Sequence, residues 1–324
     1  MRVGLIGTGW VSGQHLDAIA AAGHQAVAVA GRQLAKAEAL AQPRGAAAYD
    51  DWQRMLANER LDALWICVVP SAAAALARAC AGRVRGVLVE KPVGIDPDEA
   101  AATARAFAEA GTVAGAAYHN RSRAVVARVR ELCAGTAPAV ANAWWHSPMP
   151  GPAWWRSRAG SGGQMSEQAT HLVDLLRVWL GEAVEVSAAA AHGFVTGVEG
   201  YDVDDAICAT IRFASGAVAN VQTSCHELPG HTLEPIGIQL HARGWSARLS
   251  GWSLDAELHA AGGEVQRLPG ESDGFKRQAA AFLAAVAAGD PRAVPCTYAD
   301  GVATLRLTRA IDAAAASGRA VRLG

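Results

Sequence analysis

A chain of 324 residues exceeds the size at which a single hydrophobic core usually stops growing, so two domains are expected. With 51% apolar residues, 18% charged ones and a formal net charge of -1, the composition excludes a disordered chain and leaves no basic surface for nucleic acid or anionic lipid; a small-molecule partner fits better. The cysteines are scattered without a CxxC pair, so they read as small buried hydrophobes, and neither a disulfide framework nor a metal centre is expected.

Met1 and Arg2 run directly into a strand-like segment at 3–6, which leaves no room for a secretory leader. The Ala-rich stretches carry Arg, Glu or Asp too often to span a membrane, so a cytoplasmic protein with no membrane partner is expected. Up to about residue 118, strands at 3–6, 26–30, 63–69, 86–89 and 112–117 alternate with helices at 34–41, 72–81 and 98–110. That alternation is the pattern of βαβ units in a doubly wound parallel sheet, a Rossmann domain over residues 1–120. A helix at 121–135 follows, and then the texture changes to strands at 139–145, 184–190, 206–213, 217–223, 236–240 and 247–249. The turn Ala214-Ser215-Gly216 between two of these favours antiparallel pairing, so residues 121–324 read as an α+β domain with a mainly antiparallel sheet. One long helix, 164–180, interrupts the strands, and two more, 273–288 and 298–317, close the chain.

Gly7-Thr8-Gly9-Trp10-Val11-Ser12 follows the first strand and opens a helix, the context a dinucleotide fingerprint requires. Gly7 permits the tight turn, Gly9 lets the backbone approach a pyrophosphate, and the free N–H groups of the helix start, at Trp10 and Val11, face the phosphates. Ser12 stands where glycine or alanine is usual and is small enough to keep the helix close to the strand. At the end of the second strand, where an acidic residue would hold the ribose of NAD, the sequence reads Ala30-Gly31-Arg32. No carboxylate is there to repel a 2′-phosphate, and Arg32 offers a planar cation with Lys36 as a second contact. NADP(H) is therefore the expected cofactor, with NAD(H) second; the alternative is that Arg32 is a solvated charge.

Glu90-Lys91-Pro92 comes directly after an apolar strand, at the edge where open α/β sheets bind ligands. There an ammonium can hydrogen-bond a reacting oxygen and stabilise alkoxide-like charge. With Gly7-Thr8-Gly9 and the segment from Leu61 to Pro70, this element resembles the Gfo/Idh/MocA oxidoreductases. The resemblance implies a second domain with an open antiparallel sheet, a nicotinamide cofactor, sugar or polyol substrates, and a homodimer or homotetramer. By position it adds Val69, Pro70, Glu90 and Lys91 to the cofactor contacts, and Tyr118 and His119, at the domain crossing, to the substrate contacts. Arg121 reads as an interdomain salt bridge. Many members carry a histidine shortly after the Pro70 position, whereas Ser71-Ala72-Ala73-Ala74 lacks one.

Glu167, His171 and Asp174 fall at helical spacing after the glycine pair Gly162-Gly163, so a helix at 164–180 would present them as one polar stripe. An imidazole is a natural proton acceptor for an alcohol and donor for a ketone. Carried over from the family, Lys91 and His171 are the acid/base residues and Glu167 binds or orients; Asp174, on the same stripe, is expected to contact substrate. The alternatives are a structural hydrogen-bond network or an i,i+4 metal pair lacking a third ligand. Trp144, Trp145, Trp154 and Trp155 cluster just before this helix. Trp154, Trp155 and Arg156 are expected at the substrate, while Trp144 and Trp145 must point to opposite sheet faces. The expected reaction is hydride transfer between nicotinamide C4 and a carbinol or carbonyl carbon. Its rivals are reduction of a C=N or conjugated double bond and a non-catalytic NADP-binding sensor.

Overall fold

Strand β1 (Arg2–Ile6) is apolar on both faces, with Val3 and Leu5 fully buried, and such a strand belongs at the centre of a sheet covered on both sides. In the computed structural model of the protein, which describes residues 1–227, 230 and 234–324, it lies there. The chain continues through α1 (Trp10–Ala21), β2 (Gln25–Ala30), α2 (Leu34–Ala41), β3 (Ala47–Tyr49), α3 (Trp52–Asn58), β4 (Ala63–Ile66), α4 (Pro70–Ala79), β5 (Gly86–Val89), α5 (Pro97–Glu109) and β6 (Val113–Ala116). The six strands are parallel in the order β3-β2-β1-β4-β5-β6, so the winding reverses between β1 and β4, and ligands bind at such a switch point. β4 stops three residues short of the strand expected at 63–69. Pro70 opens α4, and residues 67–69 leave the sheet to reach it.

The next elements are α6 (Ala124–Gly135), β7 (Pro138–His146), α7 (Arg158–Ser161), α8 (Gln164–Glu167) and α9 (Thr170–Leu180). Seven strands follow: β8 (Ala183–Ala191), β9 (Ala206–Phe213), β10 (Val218–Ser224), β11 (Ile236–Ala242), β12 (Trp245–Ser250), β13 (Asp255–Ala260) and β14 (Val265–Leu268). With β7 and β15 (Val321–Arg322) they form a nine-stranded sheet, β14-β13-β12-β11-β7-β10-β9-β8-β15, antiparallel throughout except for the β7–β10 pair. One face carries the core. Ile207, Ala209, Ile211 and Phe213 of β9 are buried, while Cys208, Thr210 and Arg212 alternate with them on an uncovered face. Cys208 is thus an exposed thiol, and Cys133 is half-buried; the other four cysteines are buried as expected.

The expected continuous helix at 164–180 is two helices. Gln168 and Ala169 break it, Ala169 N–H bonding back five residues to Gln164 O, so the turn widens between α8 and α9. The last helices are α10 (Gly274–Ala288) and α11 (Tyr298–Ser317).

Contacts divide the chain into one unit of Met1–Ser122 with Asp273–Ala303 and another of Arg123–Ser272 with Thr304–Gly324. This corrects a second domain running unbroken from 121 to 324. Phe282, Leu283 and Val286 of α10 are fully buried in the core of the first unit, Phe282 edge-on to Trp65 at 5.2 Å. Gly86 on β5 makes room for this helix, because a Cβ there would strike Val286. Among the described residues no helix is long and apolar enough to cross a membrane.

Candidate functional site

In the first unit, the loop after β1 is built around Gly7, whose φ of 126° and close approach to the Cys67 carbonyl exclude any side chain. Gly9 is the N-cap of α1 and supplies no side-chain cap; a Cβ there would meet nothing within 4 Å. The amides at the start of α1, Trp10 and Val11 among them, therefore open onto free space at the positive end of the helix, and Trp10 is exposed. This fits a pyrophosphate.

Gly31 lies against the methyl of Thr8, which a Cβ would strike, so the end of β2 is pinned close to the glycine loop. Thr8, Arg32, Gln33 and Lys36 line a cavity of about 350 Å³ with two cations and no carboxylate. The sequence reading singled out Arg32 and Lys36; Gln33 joins them because α2 starts immediately after it. Val69 is the N-cap of α4, and Pro70 is its first residue.

Glu90 follows β5 and is nearly buried, and its carboxylate has two partners. Oε1 meets His15 Nε2 at 2.7 Å, and Oε2 accepts from the Lys91 backbone N–H at 3.0 Å. The Lys91-Pro92 peptide is cis. Burial, with the Glu90 charge beside it, pushes the Cys67 thiol well above its ordinary pKa. Tyr118 and His119 are buried against α10 rather than displayed. The His119 ring stacks on Phe275 at 4.3 Å, and the Gln278 amide oxygen, once oriented to satisfy both groups, accepts from the Tyr118 and His119 N–H groups. Arg121 pairs with Asp300 at 3.4 Å, a bridge within this unit rather than between domains.

In the second unit, Trp154, Trp155 and Arg156 sit on a 3₁₀ turn. Trp154 is exposed and Arg156 half-buried, whereas Trp155 is buried and donates its indole N–H to Glu167 Oε2 at 2.8 Å. The helix break after Glu167 places it at the end of α8, while His171 and Asp174 lie on α9. His171 lies 6.0 Å from the Trp145 ring, nearly parallel to it, and 6.0 Å from the Trp252 ring, edge to face. Trp252, in the turn between β12 and β13, was not foreseen; nothing local in the sequence ties a turn tryptophan to a histidine eighty residues earlier. Trp144 points to the opposite sheet face, flat over Gly237, as alternation requires. Asp174 accepts from Thr304 Oγ1 at 2.8 Å, and Thr304 in turn accepts from Arg177 at 2.8 Å, a buried polar chain joining α9 to α11. Beside the site, burial lowers the His146 pKa, an effect that Glu227 opposes and His226 reinforces. Among the described residues no group of three or more His, Cys, Asp or Glu is arranged to hold a metal ion.

Comparison with known proteins adds the following. Residues 1–118 match the model of the Gfo/Idh/MocA oxidoreductases with an NAD-binding Rossmann fold, and residues 134–250 match the C-terminal domain model of the same group. The chain is 28% identical to D-xylose 1-dehydrogenase (NADP(+)) 2 of Haloferax volcanii, over 100% of both proteins. It is 26% identical to 1,5-anhydro-D-fructose reductase of Ensifer adhaerens, over 99% of this chain and 98% of that one. A levoglucosan dehydrogenase in complex with NADH superposes with a TM-score of 0.89 at 20% identity, over 100% of this chain and 99% of the other. The WlbA dehydrogenase of Bordetella pertussis, in complex with NADH and UDP-GlcNAcA, gives 0.84 at 22% identity with the same coverage.

Proposed function

The chain belongs to the Gfo/Idh/MocA family of oxidoreductases, and on that premise we propose that it interconverts a carbinol and a carbonyl carbon of a cyclic, sugar-like substrate, with NADP(H) as the preferred cofactor. When bound, the nicotinamide accepts or supplies the hydride at C4. The open amides at the start of α1 would hold its pyrophosphate, and Arg32, Gln33 and Lys36 would hold the 2′-phosphate. Lys91 donates a hydrogen bond to the reacting oxygen. His171 takes the hydroxyl proton during oxidation and returns it during reduction. Glu167, held by the Trp155 indole, accepts from a neighbouring substrate hydroxyl.

The observation that carries the reading is the imidazole of His171 framed by Trp145 and Trp252. Indole faces pack against the C–H faces of a pyranose or furanose ring, and an imidazole among them meets its hydroxyl. The names of the relatives, a xylose dehydrogenase and an anhydrofructose reductase, support a sugar, and the first of them supports NADP. The same reading makes the protein a homodimer or homotetramer joined through the uncovered sheet face, where Val140, Val184 and Val218 are exposed.

The test is initial-rate assay with NADP+ and NAD+ against D-xylose and levoglucosan, with NADPH against 1,5-anhydro-D-fructose, and with a panel of cyclic imines. Turnover of a sugar is expected, and His171→Ala should lower kcat by about 10²–10⁴-fold while NADPH affinity stays within about twofold. Reduction of imines with an inert sugar panel, or a His171→Ala enzyme at full rate, would refute the reading.

A further inference from the structure

We propose that His15 is a positioning residue for Lys91, acting through the Glu90 carboxylate and braced by Phe275. The four residues come from three separate stretches of the first unit. His15 is fully buried on α1, in the inward stripe Ser12, His15, Leu16 and Ile19 of the helix whose N-terminus forms the nucleotide loop. Its Nε2 meets Glu90 Oε1 at 2.7 Å, and the other carboxylate oxygen holds the Lys91 N–H at 3.0 Å. Both prongs of the carboxylate are thus engaged, one by the nucleotide helix and one by the backbone of the lysine.

Nδ1 of His15 is buried with no hydrogen-bond partner among the described residues. The Glu90 carboxylate oxygen can only accept, so Nε2 carries a hydrogen and donates it to Glu90. Phe275 fixes the ring plane. It stands edge-on to His15 at 5.1 Å and stacks on His119 at 4.3 Å, so α10 closes the arrangement from the far side. The Cys67 thiol next to Glu90 is kept neutral by burial and adds no competing charge.

The consequence is that the turn presenting the lysine is referenced to the helix that grips the cofactor. A carboxylate held on one side only could rotate about its side-chain torsions and release the Lys91 amide, and catalytic geometry tolerates little of this. The inference takes from the proposed function that Lys91 meets substrate, but its primary readout does not depend on turnover.

The chain contains three lysines, Lys36, Lys91 and Lys276. Reductive methylation with ¹³C-formaldehyde therefore yields three lysine signals besides that of the N-terminus, and loss of one in Lys91→Arg assigns Lys91. In the NADP+-bound full-length protein, His15→Phe should keep the ring packing but move the Lys91 signal and shift its titration midpoint by about 0.5 pH unit or more. His15→Gln, which places an N–H near the Nε2 position, should restore both. With D-xylose or levoglucosan as substrate, kcat of His15→Phe should fall about tenfold, with the NADP+ dissociation constant within about twofold. An unmoved Lys91 signal in His15→Phe, or equal shifts in the Phe and Gln variants, overturns the proposal. If His15→Phe does not fold, Phe275→Leu decides: a moved Lys91 signal supports the brace, and an unmoved one refutes it. A moved signal in an enzyme that turns over no sugar leaves the positioning role standing and counts against the proposed function instead.

Discussion

Asp312 on α11 offers a quantitative test of how the second unit is held together. Its side chain is nearly buried, Oδ2 meets Arg309 Nη1 at 2.8 Å, and Oδ1 has no hydrogen-bond partner among the described residues. Burial pushes its pKa from 3.8 up to about 7, against the pull of Arg309 and Arg158 and with the help of Asp204. Below pH 3.8 the carboxyl is protonated in both folded and unfolded chains, and its ionisation costs the fold nothing. Between that pH and about 7 the unfolded chain ionises first, so stability falls as pH rises, and above about 7 the penalty is constant. At about 1.36 kcal/mol per pH unit the full penalty is about 4 kcal/mol, of which less than half is present at pH 5. Asp312→Asn removes the ionisation, while whatever it loses in packing or hydrogen bonding is independent of pH. The diagnostic quantity is therefore the difference between the two pH values. The variant should gain about 2–3 kcal/mol relative to the wild type on going from pH 5 to pH 8. Urea unfolding followed by tryptophan fluorescence reads this unit well, since Trp144, Trp145, Trp154, Trp155, Trp179, Trp245 and Trp252 all belong to it. A stability difference between variant and wild type that is the same at both pH values, within about 0.5 kcal/mol, would refute the argument.

Three further outcomes are expected. Phe282→Ala should cost the first unit about 3–5 kcal/mol, because the ring is fully buried against Trp65; hydrogen exchange in β1, β4 and β5 should accelerate, and unchanged protection there would contradict the placement of α10. Arg32→Ala should raise KM for NADP+ about 10–100-fold and leave that for NAD+ within about threefold, whereas equal losses for both cofactors would show that Arg32 does not read the 2′-phosphate. Trp155→Phe deletes the N–H that Glu167 accepts, worth about 1.5–3 kcal/mol for a charged partner, so affinity for the sugar should fall at least tenfold with cofactor binding unaltered; a loss confined to the cofactor would place Glu167 elsewhere in the chemistry.

The features best read from sequence were those set by adjacent residues. The turn at Gly7, the helix start at Gly9 and the cation after β2 each depend on neighbours within a few positions, and the structure has a left-handed glycine at 7, a helix opening after Gly9 and a cavity lined by Arg32. The alternation along β7 likewise put Trp144 and Trp145 on opposite faces without any knowledge of what covers them. Periodicity failed where a helix was interrupted. The glycine pair was visible, but the widened turn at Gln168 and Ala169 is not signalled by any proline or glycine of its own, so Glu167 was read into one continuous helix with His171 when the two lie on separate helices.

By itself, then, the sequence determined the strand–helix alternation of the first domain, the nucleotide loop, and the identity of the lysine and histidine worth testing, because short-range sterics and the two periodicities of helix and strand are written into adjacent residues. Only the tertiary structure decided that α10 belongs with the first core, that Trp252 stands against His171, and that a histidine on the nucleotide helix holds Glu90. Those pairings join residues 75 or more positions apart, and they are selected by the shape left over when two cores close, such as the space that Gly86 leaves for Val286, which no local pattern encodes.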